Sequence, residues 1–97
     1  MITIEDIKKA ITPIADELQL KKVILFGSYA RGEQTDSSDI DLIIDSGGTL
    51  TASDIFYAIG RLLEVLPMRA DIFELSEVKN PSATYTAVMR EGVALYE

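Results

Sequence analysis

Two aspartates separated by a single residue, Asp39 and Asp41, are the part of this sequence best suited to chemistry. The residues around them predict a β-strand, and because side chains alternate across a strand, both carboxylates are expected on one face. At roughly 4 Å, two such charges repel by about 4 kcal/mol at a protein-surface dielectric. A divalent cation would relieve that repulsion, and magnesium prefers oxygen ligands of this kind.

Asp71 is the candidate third carboxylate of the same site. It lies between Ala70 and Ile72 in another predicted strand, where an unpaired charge needs a reason. Two magnesium ions roughly 3.5 to 4 Å apart can hold the attacking and leaving oxygens of an in-line phosphoryl displacement. The third carboxylate would help complete the coordination of the second ion and could accept the proton of the nucleophile. In the plainer alternative, Asp39 and Asp41 cap a strand end and Asp71 points to solvent.

Gly27 and Ser28 form a second feature, with ten residues between Ser28 and Asp39. They stand at the end of a predicted strand and the start of a helical turn, where free backbone N–H groups and a hydroxyl can cradle a triphosphate. Glycine also lets the backbone approach phosphates closely. An ordinary strand-to-helix turn is the alternative for this pair. Arg31 is a candidate phosphate contact, with a solvated surface charge as its alternative.

Two other motifs can be excluded on the same residues. Gly27 and Gly32 have the spacing of a P-loop, but Glu33 and Gln34 stand where that motif requires Lys followed by Ser or Thr. Calcium-binding loops that begin at the nearby aspartates lack both the glycine at position 6 and the closing glutamate. Neither a P-loop nor a calcium-binding loop therefore accounts for these residues.

The overall composition restricts the chemistry further. Nine Lys and Arg against sixteen Asp and Glu give a net charge of -7, which disfavours stable binding of nucleic acid. The charge could favour a basic protein partner, but it is equally typical of acidic proteins that have no such partner. Cysteine and histidine are absent, so catalysis would have to use carboxylates. Charged residues at positions 5, 6, 8 and 9 and the lack of a long apolar run predict a cytoplasmic protein without a signal peptide.

The hydrophobic pattern predicts a layered α/β (α+β) domain over residues 1–97, with a small mixed sheet of three to four strands packed with helices. The predicted strands are Lys22–Phe26, Asp39–Asp45, Arg69–Leu75 and a short edge strand, Val93–Tyr96. A single helical turn, Tyr29–Arg31, and a polar loop over 32–38 separate the first two strands.

Three longer helices complete the prediction. The first is capped by Thr3 and Asp6 and runs to about Leu18, with a kink or break at Pro13. The second is capped by Thr51 and Asp54 and ends at Pro67, with a buried stripe of Ile55, Ile59, Leu62, Leu63 and Leu66. The third opens at Asn80–Pro81, carries Tyr85, Val88 and Met89, and stops near Gly92.

The segments Leu25–Gly32 and Ser38–Leu42 together resemble the signature of the DNA polymerase β-like nucleotidyltransferase superfamily. Within it, the chain is similar to the minimal nucleotidyltransferases, which are often antitoxins paired with a HEPN-domain ribonuclease toxin. The resemblance implies a nucleotidyltransferase fold, two Mg²⁺ ions at Asp39, Asp41 and Asp71, and nucleotide phosphates at the Gly27–Ser28 pair. It also implies transfer of AMP from ATP to a tyrosine of the cognate toxin.

Two other functions remain open at this point. The same site could modify a small molecule or a nucleic acid, although larger relatives with such acceptors carry an added domain that this chain has no residues to form. The chain could also neutralise a partner by binding alone, without catalysis. In the favoured interpretation the acceptor is a protein that contributes its own binding surface, in a hetero-oligomer with the toxin.

Overall fold

The structure is a computed structural model of the 97-residue chain and describes residues 2–48, 50–75, 86 and 90–97. The elements are α1 (Ile4–Leu18), β1 (Lys22–Phe26), α2 (Ser28–Arg31), β2 (Ile40–Asp45), α3 (Ala52–Val65), β3 (Ala70–Glu74) and β4 (Val93–Tyr96). Of the helix predicted between Asn80 and Gly92, only Thr86, Arg90 and Glu91 are described before Gly92, and these three are helical. The remainder of that prediction, including Tyr85, Val88 and Met89, lies outside the described residues.

The strands form one mixed sheet in the order β3-β2-β1-β4. Strand β1 is antiparallel to both β2 and β4, whereas β2 is parallel to β3. The prediction of a small mixed sheet of three to four strands is confirmed, and β4 is an edge strand as expected. The sheet order itself depends on which strands meet in space, so it could not be read from the pattern along the chain.

One face of the sheet carries the hydrophobic core. Ile40, Leu42 and Ile44 alternate along β2, and each is completely buried. Their neighbours Val23 and Leu25 on β1 are equally buried, and helices α1 and α3 cover this face. The residues that alternate with them, Asp41 among these, therefore project from the opposite face, which we call the open face.

Both long helices begin at the predicted caps. At each start, a threonine hydroxyl accepts a hydrogen bond from the N–H of an aspartate three residues on, and that carboxylate accepts one in return; the pairs are Thr3 with Asp6 and Thr51 with Asp54. Such reciprocal bonds satisfy donors that the first helical turn leaves free. Helix α1 continues through Pro13 to Leu18 without a break. No helix among the described residues is long and apolar enough to cross a membrane.

Three predicted details need correction. Leu63 is 43% exposed, because it lies about 100° round the helix from the fully buried Leu62. The buried stripe of α3 runs instead through Ala58 and Leu62, with Ile55 and Ile59 packed beside them. Strand β2 begins one residue later than predicted, at Ile40, and the third strand is shorter than predicted at both ends, spanning Ala70–Glu74.

Candidate active site

The register of two parallel strands brings Asp41 and Asp71 together. Asp41 on β2 is the direct partner of Asp71 on β3, so both side chains project from the open face. Asp39 immediately precedes β2, and its carboxylate Oδ2 lies 3.8 Å from Nε of Arg69. Asp71 is exposed, as the plainer alternative expected, but it is exposed beside Asp41 rather than away from it.

The electrostatics of Asp41 reflect this crowding. Its pKa is raised above the ordinary value of 3.8, first by partial burial and then by the negative charges of Asp71 and Asp39. The nearby charge of Arg31 lowers the pKa of Asp41 and offsets part of this effect. Asp39 and Asp71 are therefore both close enough to Asp41 for their negative charges to act on it.

Gly27, at the end of β1, lies next to Asp41 and has no side chain to occupy the space between them. Its φ of +76° is one that other residues rarely adopt, and it directly follows Phe26, the β1 partner of Asp41. A Cβ atom placed on Gly27 would lie only 2.4 Å from Oδ2 of Asp41. The sequence explained this glycine by approach to phosphate. The structure adds a second reason, which is that the Asp41 carboxylate fills the space where a side chain would be.

Tyr29 anchors the short helix α2 that follows Gly27. Only 1% of its surface is exposed, and its hydroxyl donates to the sulfur of Met68 at 3.1 Å. Sequence analysis placed Tyr29 in the helical turn but gave it no positioning role. The signal in the sequence was the large aromatic residue directly after Gly27–Ser28, because a fully exposed polar turn has no core against which such a side chain could pack.

Arg31 lies at the border of the site and already has carboxylate partners. Its Nε donates to Glu33 Oε1 at 2.6 Å, and its NH1 lies 3.6 Å from Glu91 Oε2. The hydrogen bond that Arg31 donates to Glu33 is the main reason that the pKa of Arg31 is raised. The side chain is 44% exposed, so a phosphate could reach it only in competition with Glu33.

The donor set suits magnesium, although it is not a finished cage. In the described ranges, no group of three or more acidic residues has an arrangement that could hold a metal ion as it stands. Magnesium usually binds through one or two carboxylates together with water and substrate phosphates, so a preformed cage is not required. An oxygen-only set in which neighbouring carboxylates raise the pKa of Asp41 fits ions that arrive with a nucleotide.

The raised pKa of Asp41 predicts a pH-dependent stability in metal-free buffer. A carboxyl whose pKa is higher in the folded protein than in the unfolded chain destabilises the fold progressively as pH rises from about 3.8 through the folded-state pKa. We therefore expect Asp41→Asn to equal or exceed the wild type in free energy of unfolding at pH 7, with the advantage shrinking toward pH 4.

The measurement is urea denaturation in EDTA across this pH range. Asp36→Asn, in the exposed loop before β2, is the control for loss of one negative charge and should show little pH-dependent gain. A wild type that becomes more stable relative to Asp41→Asn as pH rises would contradict the expectation.

Comparison with known sequences places the site in context. Residues 8–97 match the family described as "Polymerase beta, Nucleotidyltransferase". The protein adenylyltransferase MntA of Thermococcus cleftensis is 30% identical over 97 residues, covering 96% of each chain. The candidate protein adenylyltransferase MJ1379 of Methanocaldococcus jannaschii is 33% identical over 87 residues, covering 84% of this chain and 87% of its own.

Solved structures share the fold. A candidate minimal nucleotidyltransferase superposes with a TM-score of 0.76 at 25% identity, covering 95% of both chains. A chain from the complex of the tri-AMPylated Shewanella oneidensis HEPN toxin with its MNT antitoxin gives a TM-score of 0.69 at 20% identity, covering 97% of this chain and 72% of that one. The match over residues 8–97, together with the nucleotidyltransferase fold, shows that the chain belongs to the polymerase beta nucleotidyltransferase family.

Proposed function

We propose that this chain transfers AMP from ATP to a partner protein, and that the acceptor is a tyrosine of a cognate HEPN ribonuclease toxin. The observation that carries the proposal is the pairing of Asp41 with Asp71 on the open face, next to a glycine whose missing side chain leaves room for the Asp41 carboxylate. Relatives named as protein adenylyltransferases support the reaction type. Similarity to a complex that contains an AMPylated toxin supports the choice of partner.

Asp39, Asp41 and Asp71 are the residues that would hold two magnesium ions. When bound, such ions supply positive charge that stabilises the attacking and leaving oxygens of an in-line displacement. Gly27 and Ser28 would receive the phosphates, since the backbone there is accessible and carries no bulky side chain. Arg31 would add positive charge at the border of the site when it exchanges Glu33 for a phosphate oxygen.

In the proposed reaction, the acceptor hydroxyl oxygen forms a bond to the α-phosphorus of ATP. The bond from that phosphorus to the oxygen bridging the α and β positions breaks, and pyrophosphate leaves with the electron pair. A carboxylate oxygen of Asp71 takes the proton from the hydroxyl, a role that its exposed position beside Asp41 permits. The product is a phosphodiester that joins AMP to the acceptor.

The direct test is incubation with Mg²⁺, ATP and the protein encoded by the neighbouring gene. With ATP labelled at the α-phosphate, we expect label on the partner protein, and with γ-labelled ATP we expect none. Replacement of the acceptor tyrosine by Phe in the partner should remove the signal, because the nucleophilic oxygen is lost. Label found only on small molecules or RNA would overturn the proposed acceptor and support the alternative enzyme function.

A further inference from the structure

An aromatic pair borders Asp41 and Asp71 on the open face of the sheet. Phe26 on β1 is the partner of Asp41, and Phe73 on β3 follows Asp71 by two residues. Although β2 lies between their strands, the ring centroids of Phe26 and Phe73 are only 6.4 Å apart, with the planes tilted by 48°. The two rings therefore meet across β2, beside Asp41. We call these two residues, with Ile43 beneath them, the aromatic floor.

The burial of these residues distinguishes the floor from the core. Ile43 is completely buried, yet it projects from the open face and does not belong to the main core cluster. The Phe26 and Phe73 rings meet on this same face, from the strands on either side of Ile43. Phe73 nevertheless leaves 46% of its surface exposed, beside a site that would take a charged substrate. Exposed aromatic surface adjoining a polar reaction centre is typical of a ligand contact.

Phe73 and the Gly27–Ser28 turn lie at different levels along the strands relative to the carboxylates. Gly27 continues beyond Phe26 toward the end of the sheet, whereas Phe73 lies farther into the sheet than Asp71. Phe73 therefore lies on the far side of Asp41 and Asp71 from the Gly27–Ser28 turn, while Phe26 is level with Asp41 and leads directly into the turn. In an in-line displacement, the attacking and leaving oxygens lie on opposite sides of the phosphorus. With the leaving pyrophosphate held at the turn, as in the proposed function, an acceptor hydroxyl that attacks from the opposite side would approach over Phe73.

We propose that Phe73 and Phe26 seat the ring of the acceptor and select a phenol, the side chain of a tyrosine, over an aliphatic hydroxyl. This inference rests on the proposed function and adds the residues that position its acceptor. A phenol ring packed against the tilted pair gains aromatic contacts while its hydroxyl extends toward Asp41 and Asp71. A serine or threonine side chain has no ring to rest on the floor.

A binding experiment tests the seat without requiring any transfer. The probe is p-cresol, added to the isotope-labelled chain with Mg²⁺ and a non-hydrolysable ATP analogue, and the readout is the NMR resonances of the Phe26 and Phe73 rings. We expect saturable shifts of both rings in the wild type, loss of the Phe26 shift in Phe73→Ala, where Phe26 is the remaining reporter, and retention of both shifts in Phe56→Ala. Phe56 is the matched control because it is 82% exposed on α3 and has no part in the floor. Equal shifts with cyclohexanol, or unchanged p-cresol binding in Phe73→Ala, would overturn the proposal.

Kinetics with the partner protein separate a seat for the acceptor from a structural role. In Phe73→Ala we expect the KM for the acceptor to rise about tenfold, with kcat changed little. A tenfold loss of affinity corresponds to the free energy of one aromatic contact. Phe73→Tyr should restore the KM, and the affinity for the ATP analogue should be the same in all variants. Weaker ATP binding in Phe73→Ala would assign the floor to adenine instead, and would overturn the inference.

The two experiments also distinguish failure of this inference from failure of the proposed function. If the wild type binds p-cresol on the floor but labels no protein, the acceptor seat stands and the partner-modifying activity does not. If the wild type labels its partner and Phe73→Ala leaves the KM for the acceptor unchanged, the proposed function stands and the seat is refuted.

Discussion

Asp41→Asn is expected to reduce AMP transfer by on the order of 1,000-fold or more while the chain remains folded, because in the proposed mechanism Asp41 would hold magnesium, and loss of that charge would remove several kcal/mol of stabilisation from the transition state. Asp41 has two other carboxylates near it. Asp71 is its direct partner on the neighbouring strand β3, and Asp39 stands two residues before it in the chain. The substitution adds no bulk and removes the negative charge of a carboxyl whose pKa is raised by partial burial and by those neighbours. Label transfer from α-labelled ATP, measured beside circular dichroism of the same sample, tests both parts.

The same variant separates an enzyme from a binding module. If the chain silences a toxin by modifying it, Asp41→Asn should form the complex but leave the toxin active. Asp36→Asn, in the exposed loop, should behave like the wild type in both assays. Undiminished neutralisation by Asp41→Asn would favour inhibition by contact, and undiminished transfer would refute the metal-binding role.

Gly27→Ala is expected to lower both stability and activity, because the new methyl group would lie 2.4 Å from Oδ2 of Asp41 and the backbone has a φ of +76°. The conformational part of this effect is about 1–3 kcal/mol, because the backbone at Gly27, with φ +76° and ψ -154°, lies in a region that is essentially restricted to glycine. The clash adds to it by displacing the Asp41 carboxylate from its neighbours. Urea denaturation gives the loss of stability, and transfer from labelled ATP gives the loss of activity.

Gly48 supplies a control for this prediction. It has the same φ of +76°, but a Cβ atom there would meet nothing within 4 Å. Gly48→Ala should therefore show only the conformational penalty and keep activity. Adding Asp41→Ala to Gly27→Ala should recover the stability lost to the clash but not the activity, because the methyl group then faces only the Asp41 Cβ at 3.4 Å. Equal destabilisation by Gly27→Ala and Gly48→Ala would refute the steric argument.

Local patterns predicted most of what positions the site. Strand β1 begins and ends at the predicted residues, since the apolar run Lys22–Phe26 is short and is closed by a glycine. The common face of Asp41 and Asp71 also follows from local information, because each alternates with apolar neighbours in its own strand. Two-residue periodicity does not specify which strands become neighbours. It could only suggest, therefore, that the two carboxylates meet.

The features that sequence analysis missed all depend on contacts between distant residues. Arg69 near Asp39, the Met68 partner of Tyr29 and the ring contact between Phe26 and Phe73 each join separate elements. The exposed Leu63 is a different kind of error. In a helix that is apolar on more than one side, periodicity alone leaves open which of two adjacent leucines faces the sheet.

The alternation along β2 has a consequence for how this protein can change over evolution. Ile40 and Leu42 face the core whereas Asp41 faces the candidate site, so deleting a single residue inside Ile40–Asp45 would turn carboxylates inward and isoleucines onto the open face. The polar segment over 33–37 has no such parity and can gain or lose residues. Homologues should therefore differ in length before the strand and never within it.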